Sequence, residues 1–128
     1  MAEMSDYLEN KILDYVLRDT ADWAPSTVYL ALHTGDPTDV TSAGLANEVD
    51  VTRQAIEFDA AHATTGVTQN TNIETFTSMP AVTVTHIGIW DHVSAGNLLF
   101  HTAVTSSKAV ASGDTITVAA GAITITLA

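Results

Sequence analysis

Cysteine is absent from the 128-residue chain. Disulfide frameworks, thiolate metal sites and cysteine nucleophiles are thereby excluded, and the fold must rest on packing and hydrogen bonding. Basic residues are scarce too: four Lys and Arg stand against 15 Asp and Glu, for a formal net charge of -11. Non-specific nucleic-acid affinity comes from Lys and Arg displacing counterions, and attraction to anionic lipid headgroups needs the same cations. Nucleic acid and membrane are therefore not expected as partners. No apolar run approaches the roughly 20 residues that span a bilayer. The opening MAEMSDYLEN carries acids where an export signal would carry positive charge, so a mature N-terminus and a soluble protein made in the cytoplasm are expected. Three prolines and no internal repeat, heptad run or Gly-X-Y tract exclude a coiled-coil stalk and a triple-helical shaft.

What is present suits one domain over residues 1–128, long enough to bury about two-thirds of the surface its unfolded form exposes. The charge is unevenly spread. Met1 to Glu74 holds 13 acids and three bases, whereas Thr75 to Ala128 holds only Asp91, Asp114 and Lys108. That quiet, Thr/Val/Ile-rich final third suits strands that are half buried or packed on another subunit, with Ile123 and Ile125 serving such a contact if they face outward.

Leu8, Ile12, Tyr15 and Val16, widened by Leu13 and Leu17, predict an amphipathic helix over about residues 6–19. Ser5 or Asp6 can cap it, Asp6 and Glu9 have capping-box spacing, and Ala24-Pro25 marks its stop. From about residue 27 to the C-terminus the period is two. Val28, Leu30 and Leu32 alternate with Tyr29, Ala31 and His33, and Gln54, Ile56 and Phe58 alternate with a wet face of Arg53, Ala55, Glu57 and Asp59. Val82, Val84, His86, Gly88 and Trp90 oppose Thr83, Thr85, Ile87 and Ile89. Gly35 to Asp50 reads as a long surface loop, turns are expected at Ser94–Asn97 and Ser112–Asp114, and Ala120-Gly121 reads as a bend or bulge between two short strands. Seven to eight strands at regular spacing predict a mainly β protein: an antiparallel β-sandwich, jelly-roll-like, with one N-terminal amphipathic α-helix.

Catalytic motifs are missing: there is no GxSxG, HExxH, Walker loop or GxGxxG after a strand. His86 and His92, with Asp91 beside them, would make a two-His-plus-carboxylate metal site if their side chains converged, but histidines on a sheet usually pack and bond locally. His33, His62 and His101 form no spacing motif. Asp36, Asp39, Glu48 and Asp50 are the ligand type hard cations prefer, in a spacing that matches no calcium loop. Glu57 and Asp59 read as a solvated strand face rather than a glycosidase pair. Trp23, Trp90, Tyr29 and Phe100 are scattered among core positions rather than gathered on a sugar-stacking platform. No catalytic, cofactor-binding or metal residue is assigned, and no cofactor is expected.

Several stretches together carry a resemblance: YLENKILDYVLRDT, TVYLALHTGDPTD, VTRQAIEF with its Arg53-Gln54 pair, THIGIWD, and GNLLFHTAVTSSKAVASGDTITVAAGAITITL. In this order they resemble a family of small virion structural proteins of tailed bacteriophages, labelled tail-fibre-like, with related β-sandwich proteins acting as capsid decoration (cement) proteins. Asp50-Val51-Thr52 departs from the Gly-Tyr-Ala or Ser-Tyr-Ala often found ahead of the Arg-Gln pair. The resemblance implies a non-enzymatic protein on the outer surface of the head, or on the tail. It also implies assembly with itself, as a homotrimer, and with the major capsid protein or a tail protein. A decoration role stabilising the head is the first expectation, because a fibre needs a shaft and an attachment segment. A tail-fibre-like or tail-tip protein, binding host glycans, is the alternative.

Overall fold

A computed structural model of the chain describes residues 2–18, 24–62 and 64–127. Among these, the strands are β1 (Glu3–Met4), β2 (Val28–His33), β3 (Gln54–Ile56), β4 (Val67–Gln69), β5 (Glu74–Phe76), β6 (Val82–Trp90), β7 (Leu98–Val110), β8 (Ile116–Val118) and β9 (Thr124–Thr126), all paired antiparallel. Five of them form one sheet in the order β1-β7-β6-β2-β3, and two ribbons, β4-β9 and β5-β8, complete the β structure. The ribbons contribute Phe76, Ile123 and Ile125 to the same core that Leu30, Leu32, Ile56, Ile87, Ile89 and Leu99 supply from the sheet, so the protein is an antiparallel sandwich of sheet and ribbons. The polar segment between Gly66 and Thr77 forms two short strands, which pair with the last two strands of the chain.

Two period-two expectations are corrected. Ile123 and Ile125 are each only 6% exposed and face the core, so they offer no outward contact. In β6, Val84 joins Ile87 and Ile89 in the main core, although simple alternation puts it on the opposite face. The ladder is irregular there, with Val84 opposite Lys108 and His86 opposite Ala103, and such a bulge reverses which residues face inward.

The first helix, α1 (Asp6–Arg18), begins where expected. Ser5 is its cap: the Leu8 amide donates to Ser5 Oγ at 3.3 Å, while the Ser5 hydroxyl donates to the Leu98 carbonyl and the Ser5 amide to the Leu99 carbonyl at 2.9 Å. One side chain thus starts the helix and ties it to β7. Among the described residues its expected apolar face is covered only at the beginning. Leu8 is buried and Ile12 half-buried, whereas Leu13, Tyr15, Val16 and Leu17 are exposed. Asp19 and Trp23 lie outside the described residues.

The stretch expected to be a long loop contains a second helix, α2 (Thr41–Asn47). Its sequence, TSAGLAN, has low helix propensity and no side-chain cap, which is why pattern reading passes over it. Tertiary bonds hold it instead. Thr34 donates through its amide to the Asn47 carbonyl at 3.0 Å, Val49 through its amide to Leu32 at 2.8 Å, and Leu98 through its amide to Thr41 Oγ1 at 3.3 Å.

Phe76 is fully buried and belongs to the shared core from the ribbon side. Phe76→Ala is expected to cost about 3–5 kcal/mol in urea unfolding. A loss below about 1 kcal/mol would show that the ribbons do not pack on the sheet.

Candidate functional site

The β2-β6 pair carries, on the face of His33 and Trp90, a buried polar chain whose members come from four separate segments. At its centre is Arg53, 4% exposed despite its charge. Nε donates to Glu48 Oε1 at 2.6 Å and Nη2 to Oε2 at 2.7 Å, a bidentate pair. Nη1 donates to the carbonyls of His92 and Ala95, both at 2.8 Å. The guanidinium carbon lies 4.0 Å from the Trp90 ring centroid, adding a desolvated cation–π contact. The wet strand face expected of Arg53 is therefore corrected: Ala55, Glu57 and Asp59 are exposed, but Arg53 precedes β3 and turns inward.

Trp90 is fully buried with its other partner, His33. Trp90 Nε1 donates to His33 Nε2 at 3.4 Å, which leaves the proton on Nδ1, donated to Asn47 Oδ1 at 2.8 Å. Asn47 Nδ2 in turn donates to the Asp36 carbonyl at 2.8 Å. The chain is satisfied throughout, and among the described residues no buried side-chain nitrogen or oxygen lacks a partner. Gly88 is needed beneath it, because a Cβ there would stand 2.7 Å from His33 Nε2 and 2.9 Å from Trp90 Nε1. The turn that offers its carbonyls to Arg53 is held by Asp91, whose carboxylate accepts from the Asn97 amide at 2.7 Å and from Asn97 Nδ2 at 2.9 Å. Gly96 permits this close turn with φ +71°, and a Cβ on it would meet Asp91 Oδ1 at 2.5 Å. Between Val49–Thr52 and Val93–Ala95 runs an open groove of about 480 Å³ with Glu48 and Arg53 in its lining; the variant Asp50-Val51-Thr52 triplet forms one wall.

The other residues weighed from sequence are dispersed. His86 Nδ1 meets Thr85 Oγ1 at 2.9 Å, and His92 Nδ1 meets the Ser94 carbonyl at 2.9 Å, so the imagined pair is engaged locally. The acidic loop divides. Asp36 and Asp39 face His101, Glu48 holds Arg53, and Asp50 is exposed beside the groove. Asp59 accepts from the Gln69 amide and Thr68 hydroxyl, bonds that hold its carboxyl below the usual range. Glu74, which sequence reading did not single out, is buried in β5; burial raises its pKa, the Asn72 amide bond opposes this, and Glu57 adds to it. Trp90, fully enclosed, offers no face to a sugar, and Trp23 lies outside the described residues.

A family model described as podophage GP4 fiber I protein gp80 matches residues 3–126. The chain belongs to this family. No curated protein matches it. Membership makes this gp80-family chain a fibre-type structural protein of a phage virion. Among the described residues no helix is long and apolar enough to cross a membrane. Residues of the stretches that carry the resemblance gather at the buried chain: His33 and Asp36 from TVYLALHTGDPTD, Arg53 from VTRQAIEF, Gly88, Trp90 and Asp91 from THIGIWD, and Gly96 and Asn97 from the following turn.

Burial, joined by the nearby Arg53 charge, lowers the pKa of His33 below its ordinary value of 6.5, against opposing contributions from Asn47 and Glu48. The unfolded chain then takes up this proton more readily than the folded one. The stability linked to His33 is complete above about pH 6.5 and falls as pH drops below that value toward the depressed folded pKa. His33→Gln is expected to flatten the melting-temperature profile between pH 7 and 5.5; equal slopes in both proteins would refute the assignment. Gly88→Ala should cost about 1–3 kcal/mol by overpacking. Unchanged stability on denaturant unfolding would mean that His33 and Trp90 are not held as described.

Proposed function

We propose that this chain is a non-enzymatic building block of a fibre-type appendage on a podophage tail, assembled as a homotrimer. The observation that carries the fibre reading is the family match across residues 3–126, whose description names a fibre protein. The fold supports an architectural role, since the motif residues are spent on internal bonds of loops and strand ends. His86, His92 and Asp91, weighed from sequence as a metal site near the end of β6, are engaged separately.

The contact between copies is assigned to the exposed half of α1. Leu13, Val16 and Leu17 are 55%, 68% and 75% exposed, and their spacing places them on one ridge. Burying such a ridge against the same ridge of symmetry mates is the ordinary way for an amphipathic helix to find a partner.

A head-decoration role, binding the major capsid protein, is the second reading. The compact sandwich favours it, because one core draws on residues from Leu8 to Ile125 and leaves no described element extended as a shaft. Quantitative mass spectrometry of purified virions separates the two. A copy number that is a small multiple of the tail symmetry supports the fibre reading, and hundreds per particle would replace it with decoration.

For self-association, the purified chain is expected to run as a trimer in size-exclusion chromatography with light scattering. Val16→Asp with Leu17→Asp should yield a monomer of unchanged far-ultraviolet circular dichroism. A wild-type monomer at tens of micromolar, or a doubly substituted trimer, would contradict the assigned surface.

A further inference from the structure

Sequence spacing gives His101 no partners, yet the fold surrounds it with carboxylates. It is 4% exposed and sits on β7 directly across the ladder from Glu3 of β1. Its Nε2 lies 3.1 Å from Asp39 Oδ1 and its Nδ1 3.5 Å from Asp36 Oδ1. One nitrogen of His101 and one carboxylate oxygen from each of Glu3 and Asp39 all lie within 4.8 Å of one another. Among the described residues this is the one group of three such donors so close.

The donors are held by backbone as well as by side chain. Glu3 and Met4 pair with His101 and Phe100, and the Asp6 amide donates to the Asp39 carbonyl at 3.1 Å. A carboxylate oxygen thus faces each imidazole nitrogen, and a cation seated among His101, Glu3 and Asp39 would be shared by all three donors.

We propose that Glu3, Asp39 and His101 bind a divalent cation of the zinc type, with Asp36 orienting the imidazole from its far side. One imidazole nitrogen with two carboxylate oxygens and no thiolate is a donor set for zinc or a neighbouring first-row divalent ion, whereas calcium takes six to eight oxygens. A carboxylate on the second nitrogen of a metal-bound histidine is the usual way such a ligand is fixed in orientation. The side chains of Glu3 and Asp39 are exposed, so the ion enters directly from solvent. Bound there, it would join β1, the loop ahead of α2 and β7, anchoring a two-residue strand to the sheet.

The test is calorimetric titration of the chelator-treated full chain with zinc chloride, beside thermal melts. One equivalent should bind, and a hundredfold excess over Kd should raise the melting temperature on the order of 10 °C. Asp39→Asn and Glu3→Gln change exposed side chains and should fold normally while losing at least tenfold in affinity. The double substitution His62→Ala with His92→Ala, which removes exposed histidines elsewhere, should bind zinc as the wild type does. Absence of saturable binding would overturn the proposal. Undiminished binding in Asp39→Asn and Glu3→Gln would overturn it equally, by placing the ion elsewhere.

Discussion

The arginine at position 53 cannot be buried alone. Removing its charge from water costs several kcal/mol before any partner is counted, so every group around it has to be in place for the native state to exist. Glu48 supplies the opposite charge in bidentate geometry, the His92 and Ala95 carbonyls take two more N–H groups, and the Trp90 face covers the guanidinium. These demands reach into three segments. The segment after α2 must present Glu48, the turn after β6 must point carbonyls inward, and β6 must end with its tryptophan beneath the cation. The positive φ of Ala95 and Gly96 is the backbone consequence of the second demand.

From Trp90 the constraint passes to α2. The indole N–H fixes the tautomer of His33, which orients Asn47, which reaches the backbone of Asp36. A seven-residue helix of poor propensity thereby acquires a defined place, and the loop before it brings Asp36 and Asp39 to His101. Residues from four of the five stretches by which the chain resembles a virion family thus meet at one hydrogen-bonded chain. These residues specify how loops are fastened to a face of the sheet, which a virion structural protein without disulfides requires of its loops.

This explains which features were legible in the residue pattern. Strands with alternating apolar residues, the N-terminal helix and the turns at Asn97 and Gly113 follow from local chemistry, and they stand where the pattern places them. Alternation puts Arg53 on the wet face because it assumes that the strand already runs at that residue, whereas regular pairing of β3 begins at Gln54. Val84 and the later β6 residues parted because a ladder irregularity depends on β7, a partner not visible from β6 itself. The α2 helix and the His101 cluster depend on contacts spanning tens of residues, for which no spacing rule exists. One signal was available for the buried chain: an arginine close to an acid, Glu48, in a chain with only four basic residues.

The central claim is that Arg53 and Glu48 act as one buried unit, and a double-mutant cycle on urea unfolding tests it most directly. Arg53→Met and Glu48→Leu should each destabilise by about 3–5 kcal/mol, because each leaves its partner's charge enclosed, while the double variant should lose no more than either single one. Additive losses in the double variant, or single losses below about 1 kcal/mol, would contradict the account.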